Sequence, residues 1–303
     1  MALENCPMSS LLELDNTYAA RLIERRRVLA TERHEVLGTT PAGRDAVLEF
    51  YKWATNIYLP GRWPSIYILD GANASLKNTI TSESLPLHIP HDADLALEIL
   101  GANIDTEFLF LLPSHTPSSS SSDQQTYHLS SYINTSPAGF STRSKLGLSL
   151  SAIHGPVPGY AAKLEKSMDR FFARLPVGKV VRRANWSVSM KGEFFCLEGA
   201  HGVVGGEEGD EEEGEEVDLK TTFVRCERQT LHRLPVTGAV VFAFKTYMYS
   251  LQQLRDEGSG EVLAEAIDGL GLGSVPAMTV YKRQDVWGEK VKAFLRGEIG
   301  IDG

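Results

Sequence analysis

Apolar residues recur at Leu14, Tyr18, Leu22, Leu29 and Val36, with basic residues between them. This spacing is close to that of one helix face and predicts a long helix within LLELDNTYAARLIERRRVLATERHEVL. A second helix is expected from Ala42 to about Tyr58, opened by Thr40-Pro41 and stopped by Leu59-Pro60-Gly61. A short apolar segment follows at Ser65 to Leu69, then a helix from Asp92 to Leu100 and a buried strand, EFLFLL, at Glu107 to Leu112. Further on, YHLSSYI reads as a strand, AAKLEKSMDRFFARL as a helix, and ANWSVSM and EFFCLEG as two more strands. TTFVRCERQTLHRLP leads into GAVVFAFKTYMY, the strongest strand pattern in the chain, and two or three amphipathic helices are expected between Ser250 and Leu295. Short strands joined by turns or helices, without a regular βαβ alternation, predict an α+β architecture with an antiparallel sheet rather than a doubly wound fold.

Two stretches break the pattern. SHTPSSSSSDQQT, near residues 114–126, supplies no core face and reads as a disordered loop. Residues 203–218 hold nine acids and no base, so they read as a second solvated loop, with docking of a basic partner as the alternative. The net charge is −9, and setting those nine aside leaves 30 acids against 30 bases. A near-neutral body carries no field that points to nucleic acid or to an anionic membrane surface. No apolar run approaches the roughly 20 residues of a membrane span. The first thirty residues lack the apolar core of a signal peptide, so a cytoplasmic protein is expected. The three cysteines, Cys6, Cys196 and Cys226, have no CxxC spacing and argue against a disulfide framework or a cysteine zinc site. A single domain over residues 1–303 is the expected organisation.

There is no Walker A run, no HExxH and no GxSxG elbow. The glycines of GLGLGSV follow a helix and lack the dinucleotide-binding spacing. Two polar segments remain. In IHGPVPGY, Pro156 and Pro158 stiffen the backbone that presents His154, which suits either a metal or haem ligand or a turn histidine bonded to backbone. In RCERQTLHRLP, strand alternation puts Arg225, Glu227 and Gln229 on one face and Cys226, Arg228 and Thr230 on the other. Those arginines suit a carboxylate, a phosphate or a haem propionate, or else a structural pairing with glutamate, and His232 competes with His154 for any ligand role. RRANWSV adds Asn185 beside Trp186, which reads as a core residue, and LHIPHD offers His88 and His91 without a third ligand nearby.

Taken in order, ELDNTYAARLIERRRVL, LPGRWPSIY, IHGPVPGY, RRANWSV and RCERQTLHRLPVTGAVVFAFKTY resemble the haem-dependent oxidative N-demethylase α-subunit-like family, as a fungal member would, from about Leu11 to Leu295. The resemblance implies a PAS-like antiparallel-sheet pocket holding haem b. It implies oxidative N-demethylation of a small alkylamine such as dimethylamine with O2, a monooxygenase reaction that releases formaldehyde. His154 is then the axial iron ligand. Arg225, Arg228 and Asn185 become cofactor-binding candidates, and Glu227, Arg225 and Tyr160 catalytic ones. The chain has no flavin, iron–sulfur or NADPH motif of its own, so NADPH, FMN and a 2Fe-2S centre enter only through a separate partner reductase. INTSPAGFSTRSKLGLSL, before the histidine, follows the family pattern only loosely, which implies a reshaped pocket. The alternatives are a PAS-like haem sensor or carrier without turnover, and a non-haem interaction protein.

Overall fold

The computed structural model describes residues 3–113, 125–198, 202 and 216–302. Most of both expected loops therefore lies outside the described residues. Val217 and Leu219 are already buried against the C-terminal helices, so the acidic loop gives way to packed chain before Asp218.

Ten strands are described: β1 Glu4–Cys6, β2 Leu37–Thr39, β3 Tyr67–Asp70, β4 Ser75–Asn78, β5 Ser84–Pro86, β6 Glu107–Pro113, β7 Tyr127–Ile133, β8 Val180–Ser189, β9 Phe223–Arg233 and β10 Val240–Ser250. Seven form one sheet in the order β1-β8-β9-β10-β6-β7-β2, with every pairing antiparallel, and β3, β4 and β5 form a second sheet. The protein is α+β with a large antiparallel sheet. Among the described residues, no helix is long and apolar enough to cross a membrane.

The long N-terminal helix runs over Tyr18–Val36, and the second expected helix is realised as Arg44–Trp53 continued by a π-helical turn, Ala54–Tyr58. Asp92 caps the helix Ala93–Asn103 by accepting from the Asp94 amide. Two expectations change. The described residues of EFFCLEG, Glu193 to Glu198, form no strand; Cys196 makes an isolated bridge with Ala138, and the Arg225 guanidinium takes the Glu193 and Phe194 carbonyls that a ladder would need. The C-terminal region holds four helical pieces instead of two or three: Leu251–Asp256, Gly260–Leu272, Met278–Tyr281 and Gln284–Leu295.

Strand alternation gives the large sheet two unlike faces. Phe108, Phe110, Val241, Ala243 and Val180 pack under the helices Arg44–Trp53 and Ala93–Asn103 in the main core. Leu111, Val240, Leu231 and Val181 point the other way, against Leu150, Tyr160, Met168 and Phe172. A third cluster, around Trp287, Val291 and Phe294, is carried by the C-terminal helices and meets Val188 and Val224.

Candidate functional site

The second face of the sheet carries a strip of paired residues across β8 and β9: Val181 opposite Leu231, Arg183 opposite Gln229, Asn185 opposite Glu227, and Ser187 opposite Arg225. Each step along the strip is about 7 Å, two residues of strand rise. Val181 and Leu231 lie beneath the segment that contains His154, whose Ile153 and Val157 pack on the same cluster. The polar rows therefore begin where the cover of the His154 segment ends.

His154 terminates the short helix Leu150–Ile153, which opens on a Ser149 cap. Its Nδ1 lies 2.8 Å from the Leu150 carbonyl oxygen and, protonated, donates to it, which leaves Nε2 with the free lone pair. The ring stacks on Tyr160, with centroids 4.7 Å apart and planes at 13°. Burial lowers its pKa and outweighs the Leu150 hydrogen bond, and the Lys145 and Arg183 cations add to the depression. The imidazole is accordingly neutral near pH 7, the form that can bind a metal. Tyr160 is buried, and desolvation pushes its hydroxyl up to about 12. Among the described residues its Oη meets the Met168 sulfur, at 4.0 Å, and its ring supplies a surface for His154.

Two further features hold this segment. Gly159 has φ 71°, the left-handed region that glycine enters without strain, and turns the chain into the π-helical turn Tyr160–Leu164. The Lys163 ammonium donates to the Ser274 carbonyl, and a Cβ at Gly159 would press on Val275. The C-terminal segment thus closes against the His154 segment. It also reaches the β8 strand, where the Lys282 ammonium donates to the Trp186 carbonyl and lies 4.9 Å from the Trp186 ring centroid.

On the strip, Glu227 accepts from Gln229 Nε2 at 2.7 Å and from Asn185 Nδ2 at 3.5 Å. Its charge acts on Arg183 and Lys282, opposing the desolvation that lowers the pKa of each. Glu227, Asn185 and Gln229 therefore form one polar group within electrostatic reach of two cations. Gln229, Arg183, Lys145 and Lys282 were not singled out as site residues by motif. Only the β8–β9 register aligns Arg183 with Gln229, and only the folded chain brings Lys145 and Lys282 near.

The other selected residues are already committed. Arg225 is 1% exposed and donates to the carbonyls of Glu193, Phe194 and Ser136. Arg228 lies on the opposite face, bonded to the Ser10 and Leu11 carbonyls and 3.3 Å from Glu13. It fastens the N-terminal segment to β9. His232 points into the main core, 3% exposed, with Phe50 and Trp53 ring centroids at 5.9 and 5.7 Å and, among the described residues, no hydrogen-bond partner on either nitrogen. Beside Arg225 lies a buried network that no motif announced: Arg25 pairs with Glu107, which also accepts from the Thr135 amide and hydroxyl at 2.9 and 3.0 Å. Lys245 joins Asp105 to Asp15 on the other face.

No group of three or more histidine, cysteine, aspartate or glutamate side chains suited to a metal ion occurs among the described residues. A single imidazole with one fixed and one free nitrogen instead fits a metal that brings its own remaining ligands, as haem iron does. One family model, described as haem-dependent oxidative N-demethylase, alpha subunit-like, matches residues 2–292.

Proposed function

The chain belongs to this family, and from that premise we propose that it is the haem-dependent subunit of a monooxygenase that oxidatively N-demethylates a small alkylamine such as dimethylamine. Haem b would sit in a PAS-like pocket on the second face of the sheet, and His154 would hold its iron. The observation that carries this reading is the His154 geometry: Nδ1 bonded to the Leu150 carbonyl, Nε2 free, and the ring braced on Tyr160.

Iron of a haem held there would supply O2 activation, with electrons from a separate reductase carrying NADPH, FMN and a 2Fe-2S centre. The residues of this chain do the rest. Leu150 fixes the tautomer of His154, and Tyr160 fixes its plane. Glu227, held by Gln229 and Asn185, offers a carboxylate oxygen to the ammonium of the substrate and can hold the proton that the amine gives up. Overall, dimethylamine, O2, two electrons from the reductase and two protons would give methylamine, formaldehyde and water, the N–CH3 bond being the one broken.

The test is the absorption spectrum of protein produced with a haem precursor, oxidised, reduced and with CO, for wild type, His154→Ala and His232→Ala. A Soret band present in wild type and His232→Ala and lost in His154→Ala supports the ligand assignment; retention of full haem by His154→Ala removes it. Amine-dependent oxygen uptake with formaldehyde release then separates turnover from a sensor or carrier, which would bind O2, CO or NO reversibly without consuming amine. A wild type that stays colourless with added haemin would point to a non-haem interaction protein.

A further inference from the structure

Arg225 and Arg228 spend their guanidinium groups on backbone carbonyls. Two other cations near His154 are not so engaged. Arg183, partly buried on the sheet strip one row beyond the Val181–Leu231 pair, makes no hydrogen bond or ion pair among the described residues. Lys145 ends the 3-10 turn Arg143–Lys145, and its ammonium lies 3.3 Å from the centroid of the Phe140 ring, again with no hydrogen bond or carboxylate among the described residues. Both act electrostatically on His154. Both side chains are partly buried, and desolvation lowers the pKa of both, that of Lys145 to about 8, with the Glu227 charge opposing it at Arg183. Lys282 is different, because the Trp186 carbonyl and ring already occupy it. The neighbourhood of His154 thus holds two cations with unused donors, and the one carboxylate on the strip, Glu227, is hydrogen-bonded to Gln229.

We propose that Arg183 and Lys145 are the anchors for the carboxylates of the ligand seated at His154, one cation for each haem propionate. The proposal rests on the His154 reading and assigns residues that neither the motifs nor the family description identifies. Arginine offers a planar fork suited to a carboxylate, and lysine a point charge that leaves the face of Phe140 for a better partner. A substrate carboxylate is the other source of the same chemistry.

The test titrates full-length apoprotein with haemin and with haemin dimethyl ester, following the Soret band, for wild type, Arg183→Gln, Lys145→Gln and the double variant, with Arg27→Gln as a surface control. Circular dichroism checks that each variant is folded. Wild type and the control are expected to prefer haemin over the ester, each single variant to weaken haemin binding by about tenfold, and the double variant to bind both alike. Equal affinity of wild type for haemin and its ester, or an unchanged preference in the double variant, overturns the assignment. If the double variant keeps its haem preference but loses affinity for a simple N-methyl amino acid that wild type binds, the cations serve a substrate carboxylate and the propionate assignment is overturned. A wild type that gives a Soret shift with neither porphyrin overturns the His154 reading itself, and this assignment with it.

Discussion

Replacing His232 with phenylalanine separates its structural cost from any ligand role. The imidazole is almost fully buried against Phe50 and Trp53 with both nitrogens unbonded, and desolvation holds its pKa down to about 4, from 6.5. Between those values the unfolded ring is protonated while the folded one stays neutral, so the unfolded state binds more protons and stability rises with pH. Above pH 6.5 the ring adds no pH dependence, and on acidification the loss is complete below about pH 4. At about 1.4 kcal/mol per pH unit, the full loss is about 3 kcal/mol. Phenylalanine has a similar shape and no polar atom. Removing the unsatisfied nitrogens is expected to stabilise the protein by about 1–3 kcal/mol at pH 7, less whatever the slightly larger ring costs in packing. Urea unfolding of wild type and His232→Phe at pH 7, 6, 5 and 4 reads both effects, and the difference between the two proteins cancels the titration of the carboxylates. The stability gap should widen steadily from pH 6.5 towards pH 4. A constant gap, or wild type the more stable at pH 5, would refute the claim that His232 is sealed and unpartnered in the native state.

Further outcomes follow from the same packing. Glu107→Gln keeps an acceptor for Thr135 but removes the carboxylate that pairs with buried Arg25, and should cost about 3–5 kcal/mol in a urea titration. A loss below about 1 kcal/mol would mean that the pair is solvated in solution. Gly43→Ala places a Cβ on the Ser131 hydroxyl and the Ser130 carbonyl, with Gly43 buried where Thr40 caps the turn, and should lower stability by about 1–3 kcal/mol, read as a fall in Tm.

The hydrophobic pattern was enough for the fold class and for the elements whose signal is local. The helices Tyr18–Val36 and Ala93–Asn103 and the strands of EFLFLL and GAVVFAFKTYMY all appear where the spacing of apolar residues puts them, because burial of one face is written into that spacing. EFFCLEG shows the limit. Its apolar and aromatic residues look like a strand, but a strand needs a neighbouring ladder, and here the Arg225 guanidinium claims two of its carbonyls. The same limit governs the charged residues. Arg225 and Arg228 stood out because they are dense in sequence, and the fold spends both on main-chain oxygens.

His154 could be singled out from sequence because its neighbours, Pro156, Pro158, Gly159 and Tyr160, are contiguous with it, and the stacking and the turn are local. The Arg183 charge that acts on it could not, since Arg183 is 29 residues away along the chain. Residue type and periodicity determined which faces this chain must bury. Only the β8–β9 register and the return of the C-terminal segment decided which polar side chains share the strip beyond the His154 segment, because pairing between distant strands is settled by the packing of the whole sheet and not by any one segment.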